Sequence, residues 1–204
     1  MTIKEFTENQ LNIFNRDDFR FGSNFREAID IFAKSAAIPF FLMLFAGYLE
    51  GYSWTNGIQR AIDDVLSMDL WNLIGIIGLL FFGLTIIFHK CRLLSKISIF
   101  LLLTAYRIGS AIFGVFAAQF ILLLPEISNN LEGWRLHFLV IFIFFLMFLA
   151  FRMIYLLWCL SSLAQCNSTF RKKLDIVDWK LRIFCGLFLI ASSSSVWLIM
   201  SKLE

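Results

Sequence analysis

The stretch Leu70–Phe88, with the sequence LWNLIGIIGLLFFGLTIIF, contains only two polar side chains, those of Asn72 and Thr85. A helix needs about 20 mostly apolar residues to cross the hydrocarbon core of a bilayer, and this stretch meets that requirement. Further apolar runs lie on both sides of it, and none alternates polar and apolar residues as a half-buried strand does. The predicted fold class is therefore an all-α integral membrane protein, a polytopic bundle of five transmembrane helices. The predicted spans are 28–49, 70–88, 97–124, 134–160 and 183–200. Pro125, which follows the third span, is expected to end its helix.

The first predicted span, 28–49, is the least regular of the five. Asp30 and Lys34 lie in its first two turns and Pro39 interrupts its middle, so only Ser35–Leu49 is free of charge. An uncharged stretch of this length is short for a full span. We expect a span whose charged end lies at the interface. The alternative is a re-entrant or interfacial helix, which would leave four spans.

The composition excludes several other classes of protein. Hydrophobic residues make up 59% of the 204 residues, charged residues make up 16%, and 25 residues are Phe. A typical soluble domain has about 45–50% apolar and about 25% charged residues. A chain this apolar fits neither a soluble domain, nor a disordered chain, nor a disulfide-stapled secreted domain. We therefore predict the lipid bilayer as a partner and no direct contact with nucleic acid.

The first 27 residues differ from the rest of the chain. They carry nine charged residues and no continuous apolar core, so a cleavable signal peptide is not expected. Aromatic residues such as Phe6, Phe14 and Phe21 lie among the charges, a mixture typical of a segment on a membrane surface or against a partner. We predict residues 1–27 as a cytoplasmic, interfacial amphipathic segment and residues 28–204 as a single transmembrane helical domain.

Lysine and arginine are distributed unevenly between the two predicted sides of the membrane. With five spans, twelve basic residues fall on one side and three on the other, while three more lie within spans. Because cytoplasmic loops carry the excess of Lys and Arg, this ratio places the N-terminus in the cytoplasm and the C-terminus outside. The Ile- and Phe-rich composition without a signal peptide fits a multi-pass protein of the bacterial inner (plasma) membrane.

Ionisable residues inside predicted spans are costly and therefore indicate function or a defined packing role. Arg107 and Arg152 lie on antiparallel spans at nearly the same predicted depth, roughly 15 Å from the cytoplasmic face at a rise of about 1.5 Å per residue. Asp30 is the acidic residue at a comparable depth, and Lys34 competes for it. Three interpretations stay open: the arginines fix helix register, form a cationic constriction in an oligomer, or bind an anionic lipid headgroup. Arg152 shares its face with aromatic rings, so an aromatic contact is also expected.

Small residues on the third span indicate close helix packing. Ser110, Gly114 and Ala118 share a helical face with Arg107, at spacings of three, seven and eleven residues. Such a stripe lets another helix approach closely, so we expect Arg107 to point into protein or a cavity and the chain to self-associate through this face. Gly75 and Gly78 in the second span are predicted packing positions as well.

The chain lacks the sequence motifs of the common catalytic and metal sites. It contains no G-x-S-x-G, H-E-x-x-H, C-x-x-C or Gly-rich phosphate loop. The two histidines, His89 and His137, fall at opposite membrane faces in the predicted topology, so they are not expected to ligate one metal or one haem. We predict a protein that is not an enzyme and that binds neither a cofactor nor a metal.

The largest predicted loop on the cytoplasmic side connects the fourth and fifth spans and is strongly basic. One interpretation is a flank that sets the orientation and is attracted to anionic lipid. The other is a docking surface for an acidic cytosolic protein. The candidate docking residues are Arg171, Lys172, Lys173, Trp179 and Lys180.

In size, topology and lack of catalytic motifs, the whole chain resembles the membrane subunit of small bacterial anti-phage systems, the KwaA family of Kiwa defence. The resemblance rests on architecture rather than on a residue motif, and that family is usually described with four spans, so no functional residue is transferred. It implies an oligomer in the inner membrane that senses infection and holds a cytosolic effector.

The leading functional hypothesis is a non-enzymatic inner-membrane scaffold or sensor in anti-phage defence. It self-associates and recruits a cytosolic effector through its basic segments. One alternative is a homo-oligomeric anion channel gated near Arg107 and Arg152. Another is a bacteriocin immunity protein.

Overall fold

A computed structural model describes residues 13–14, 25–49, 68–130, 133–165 and 168–200, with side chains in the last range described as far as Ser195. Within these ranges the regular secondary structure is entirely helical, which confirms the all-α prediction for this part of the chain. The helices are α1 (Phe25–Tyr48), α2 (Met68–Ile87), α3 (Arg92–Asn130), α4 (Trp134–Leu163), α5 (Thr169–Leu174) and α6 (Trp179–Met200).

Four of these helices are long and apolar enough to cross a membrane, counted over the described residues. They are α1, α2, α3 and α4, with mean hydropathies between 1.8 and 2.6 over their most apolar windows. α1 is among them despite Pro39. The choice between a full span and a re-entrant or interfacial helix for 28–49 stays as the sequence left it. The fifth predicted span falls in α6, and the described side chains of α6 stop at Ser195. Five spans therefore stay a prediction.

α3 is longer at both ends than the span predicted at 97–124. It begins at Arg92 and continues through Pro125 to Asn130, so the expectation that Pro125 ends the helix is wrong. Proline lacks the N–H that would bond the carbonyl of Ile121, so the helix continues with that one hydrogen bond missing. In its last turn the Ser128 hydroxyl donates to the Pro125 carbonyl at 2.8 Å. Hydropathy marks the part of a helix that suits lipid, whereas a helix in water can continue into polar sequence.

The chain divides into two compact units. Unit A comprises Arg26–Trp71 and Tyr106–Leu156. Unit B comprises Asn72–Ala105 and Leu157–Glu204, together with Met1–Phe25. Each unit has its own helix packing.

In unit A, α1 and α3 pack through small residues. Ser110 and Ala118 are fully buried, and a Cβ added at Gly114 would overlap the carbonyl oxygen of Ala36. The small-residue stripe on α3 is therefore a packing face, but α1 of the same chain occupies it. Self-association stays a prediction, and the contact of Gly114 with Ala36 favours a different face for it.

The contacts between α1 and α3 also give the relative direction of the two helices. The Tyr106 hydroxyl donates to the Ala28 carbonyl at 2.6 Å, and Gly114 packs on Ala36, eight residues further along each helix. The constant offset shows that α1 and α3 run parallel. Two spans separated by one other span run in the same direction when consecutive spans alternate across a membrane.

In unit B, glycines bring α2 against its neighbours. A Cβ at Gly83 would lie 2.9 Å from the carbonyl oxygen of Gly186 on α6, and a Cβ at Gly78 would lie 3.1 Å from the Leu102 side chain on α3. The predicted packing role of Gly78 agrees with this contact. Gly75 has no atom within 4 Å of an added Cβ, so it makes no such approach among the described residues.

Candidate functional site

The loop with the predicted docking residues is ordered in unit B and contains its own short helix. α5 begins after Ser168, whose hydroxyl accepts the backbone N–H of Arg171 at 3.2 Å. α6 begins after Asp178, whose carboxylate accepts the backbone N–H of Lys180 at 2.8 Å. Side-chain caps of this kind satisfy the free N–H groups of a first helical turn and fix the path of the chain. We call residues 168–180 the basic loop.

Arg171 holds the basic loop against two other segments of unit B. Its side chain is buried, with 7% of the residue exposed. Its Nε donates to the His89 carbonyl at 2.7 Å, its Nη2 to the Cys91 carbonyl at 3.3 Å and its Nη1 to the Ala164 carbonyl at 3.4 Å. The expectation that Arg171 is a docking residue is therefore wrong, because its guanidinium is used inside the chain.

His89, after the end of α2, links two charged residues on either side of the loop. Its Nε2 lies 2.6 Å from Oδ1 of Asp175, and its Nδ1 lies 2.5 Å from Nη1 of Arg182. Nη1 of Arg182 also lies 3.2 Å from Nε2, so the guanidinium contacts both ring nitrogens, while the Asp175 carboxylate accepts a hydrogen bond from Nε2. The contacts run from Arg182 through His89 to Asp175. We call these three residues and Arg171 the polar node.

The charge of Asp175 is stabilised by its surroundings. The hydrogen bond from His89 is the main reason that the pKa of Asp175 lies below its ordinary value of 3.8. Partial burial opposes this effect, while the charges of His89, Lys90 and Arg182 add to it; the Lys90 ammonium lies 4.0 Å from the carboxylate. A carboxylate beside cations and a donor stays ionised at neutral pH.

Acid is expected to loosen the polar node through Asp175. Because its pKa is lowered in the folded chain, Asp175 contributes stability above the ordinary value of 3.8 and loses that contribution as the pH falls through the lower folded value. The wild type should therefore melt at a higher temperature than the Asp175→Asn variant at about pH 6, and this gap should close below about pH 4. Melting curves of both proteins across this range provide the test. A gap that does not change with pH would show that the carboxylate charge contributes nothing.

The His89–Asp175 pair has the form of two members of a catalytic triad, but its geometry does not suit catalysis. A triad histidine needs one nitrogen free to take a proton from the nucleophile. In the polar node, Asp175 engages Nε2 and Arg182 lies against both ring nitrogens, so neither nitrogen is free to take that proton. Over the described ranges, no group of three or more His, Cys, Asp or Glu residues is placed to hold a metal ion.

The remaining predicted docking residues lie on the outer surface of the basic loop. Lys172 and Lys180 are exposed, and Lys173 is half-buried. Two large apolar side chains accompany them, Trp179 at 59% exposure and Ile176 at 68%. The basic loop thus presents cations and apolar side chains together, on a backbone fixed by the polar node.

The N-terminal segment contributes one described contact to this region. The Phe14 ring lies 5.4 Å from the Phe170 ring of α5, measured between centroids. Residues 25–27 belong to α1, and apart from residues 13–14 the rest of the segment predicted as amphipathic lies outside the described residues.

The four charged residues predicted inside spans are all exposed in unit A. Asp30 and Lys34 form an ion pair one turn apart on α1. Arg152 lies over the Phe148 ring, with its Cζ 5.5 Å from the ring centroid, which confirms the expected aromatic contact. Arg107 is exposed, so the expectation that it points into protein within the chain is wrong. Its neighbours on the stripe are covered by α1, whereas the long Arg107 side chain extends beside that contact.

Helix contacts show that these charges share one level. Tyr106, next to Arg107, donates to Ala28 in the first turn of α1. Phe151, next to Arg152, makes an edge contact with Phe32 at 5.0 Å between centroids, and Phe32 lies between Asp30 and Lys34 in sequence. The predicted common depth of the two arginines agrees with these contacts. We call Asp30, Lys34, Arg107 and Arg152 the charged layer.

Sequence reasoning missed three members of the polar node, His89, Asp175 and Arg182. His89 and Arg182 lie in runs that read as basic flanks of the spans, and Asp175 is one acid among many cations. One feature of the sequence could have indicated them. A His and an Asp lie in the basic segments next to the spans, where Lys and Arg alone are enough to set the orientation.

Comparisons with known proteins assign no family to the chain: no family model, curated protein or solved structure matches it.

Proposed function

We propose that the protein is a non-enzymatic scaffold or sensor of the bacterial inner membrane that presents the basic loop to an acidic cytosolic protein. The N-terminus and the basic loop lie on the cytosolic side in this proposal, as the distribution of Lys and Arg predicts. Self-association belongs to the proposal too, through a face other than the α3 stripe that α1 covers.

The observation that carries the proposal is the burial of Arg171. Burying a guanidinium is costly unless its donors are satisfied, and Arg171 satisfies three of them on backbone carbonyls. A flank that only sets orientation needs positive charge and no fixed shape. A loop held in one conformation by a buried arginine, two caps and the His89 hydrogen bonds supports a role that depends on shape.

The exposed surface of the basic loop suits a protein partner. Aromatic residues are enriched at the centres of protein interfaces, and charges at the rim steer association. Trp179 and Ile176 supply the apolar part, and Lys172 and Lys180 supply the charge. An acidic partner surface matches this combination.

The proposal is tested by photo-crosslinking in cells that make the full-length protein with a photoreactive residue at Ile176. We expect a discrete protein adduct, whose yield falls roughly tenfold when Lys172→Glu and Lys180→Glu are combined, because charge reversal slows association. Arg92→Glu with Lys96→Glu is the matched control, since both side chains are exposed cations elsewhere in unit B. Adducts to lipid alone would contradict the proposal. So would an equal yield of the protein adduct from the unaltered loop, from the Lys172→Glu and Lys180→Glu variant and from the control variant.

The anion channel is a second candidate, and one observation favours it. Arg107 and Arg152 are exposed at one level, where copies around an axis would bring guanidinium groups together. Reconstituted protein should then conduct anions, with a selectivity that Arg107→Gln reduces; the absence of current at any voltage would exclude it.

The setting in anti-phage defence is supported by the architectural resemblance to the KwaA family alone. Cells lacking the protein should then be infected more efficiently by at least some phages. Unchanged plating across a broad phage panel would contradict this setting. The bacteriocin immunity hypothesis has no supporting feature among the described residues.

A further inference from the structure

The charged layer has more positive charge than the chain neutralises. It contains three cations and one acid, and Asp30 is already paired with Lys34. In the described part of the chain, no acidic side chain forms an ion pair with Arg107 or Arg152. Two permanently charged groups thus remain exposed on helices whose composition suits a membrane.

The charged layer lies at the charged end of α1, while α3 and α4 continue beyond it through the uncharged stretches 97–106 and 153–163. Starting from it, the uncharged stretches are 35–48 on α1 and 108–125 on α3. The stretch 136–151 on α4, which ends at the layer, contains His137 as its one titratable residue. At a rise of about 1.5 Å per residue these stretches are about 21–27 Å long. These stretches account for most of the hydrocarbon thickness of about 30 Å, so the layer lies in the half of the bilayer on the side of the α1 start. From there the long arginine side chains can extend to the headgroups of that leaflet.

We propose that Arg107 and Arg152 each bind the phosphate group of an anionic phospholipid at the level of the charged layer. A guanidinium presents donors in a planar fork that matches phosphate oxygens. Arg152 is also held in place by the Phe148 ring, which reduces the freedom lost when the headgroup binds.

Charge complementarity favours lipid over a second copy of the chain. Each copy brings two more cations than acids in this layer, so layers placed together would repel one another. The Asp30 carboxylate of a second copy is already paired with its own Lys34. Anionic headgroups supply the missing negative charge without that repulsion.

Native mass spectrometry of the full-length protein, purified from vesicles of phosphatidylcholine with phosphatidylglycerol, tests the proposal. We expect retained phosphatidylglycerol, with affinity falling about fivefold for each of Arg107→Gln and Arg152→Gln. Arg107→Lys with Arg152→Lys should retain part of the binding. Arg92→Gln with Lys96→Gln is the matched control and should retain phosphatidylglycerol as the wild type does, because these cations lie outside the layer.

Each other outcome overturns the proposal. Equal phosphatidylglycerol retention in wild type and the double Gln variant would show that the arginines do not hold the headgroup. If inorganic phosphate stabilised the protein in phosphatidylcholine vesicles as much as phosphatidylglycerol does, the arginines would form a site for free anions. Loss of a crosslinked oligomer in the double variant, with unchanged lipid, would show a contact between copies. The single variant Arg152→Gln, checked by circular dichroism and gel filtration, replaces the double variant if the latter does not fold.

Discussion

Replacing Arg171 with Met is expected to open the basic loop. Methionine keeps an apolar stem but has no donors, so the carbonyls of His89, Cys91 and Ala164 lose the charged group that they share. Ser95 still donates to Cys91 and Ala164, so the His89 carbonyl loses most. A hydrogen bond from a charged group contributes about 1.5–3 kcal/mol, so we expect a local loss of about 2–4 kcal/mol. Local opening should then be faster by a factor on the order of 10².

Limited trypsin digestion in detergent measures this opening, because Lys172 and Lys173 are cleavage sites inside the loop. Lys172→Met is the matched control: it removes one neighbouring cation that is exposed, and it leaves the polar node intact. We expect rapid cleavage after Lys173 in Arg171→Met and slow cleavage in the control. Equal cleavage rates would mean that Arg171 does not hold the loop.

The second large effect is expected from Gly114→Ala on α3. The added Cβ would overlap the backbone carbonyl of Ala36, which cannot move as a flexible side chain can. Overpacking of a close helix contact costs about 1–3 kcal/mol and should separate α1 from α3 at this point. The buried Tyr106 hydroxyl, which donates to Ala28, is expected to lose its partner as the helices move apart.

Gly75→Ala is the matched control for this substitution, because an added Cβ there meets no atom within 4 Å. Alanine is the better helix former by up to about 1 kcal/mol, so Gly75→Ala should leave stability unchanged or raise it. Thermal unfolding of both variants in the same detergent compares them. A Gly114→Ala protein as stable as the wild type would contradict the close packing of α1 on α3.

The apolar helices were predictable from sequence because hydropathy is a local property. The stretch 70–88 corresponds to α2, and 134–160 lies within α4. The extension of α3 through Pro125 was not predictable in the same way. A proline removes one helical hydrogen bond, and whether the helix continues past it, as α3 does to Asn130, depends on contacts that the local sequence does not contain.

The role of Arg171 was not predictable, because its burial depends on a carbonyl 82 residues away in sequence. In the sequence Arg171 is one of three consecutive cations, and nothing distinguishes it from Lys172. A guanidinium can reach three carbonyls at once, which an ammonium does less well, so the difference between Arg and Lys was the one local signal.

The position of Arg107 shows the opposite limitation. Its helical face was read correctly, since Gly114 and Ala118 on that face are buried. The exposure of Arg107 depends on where α1 starts along α3, which is set by contacts such as that of Tyr106 with Ala28. Helical periodicity alone does not contain that information.

The most direct test of the account is the side of the membrane on which the basic loop lies. In the full-length protein with its native cysteines replaced, Lys172→Cys and Arg135→Cys are labelled with a membrane-impermeant maleimide, in intact spheroplasts and in inside-out vesicles. With a cytosolic basic loop, Lys172→Cys reacts only in inside-out vesicles and Arg135→Cys only in spheroplasts. Labelling of Lys172→Cys in intact spheroplasts would contradict the cytosolic basic loop and the docking function built on it.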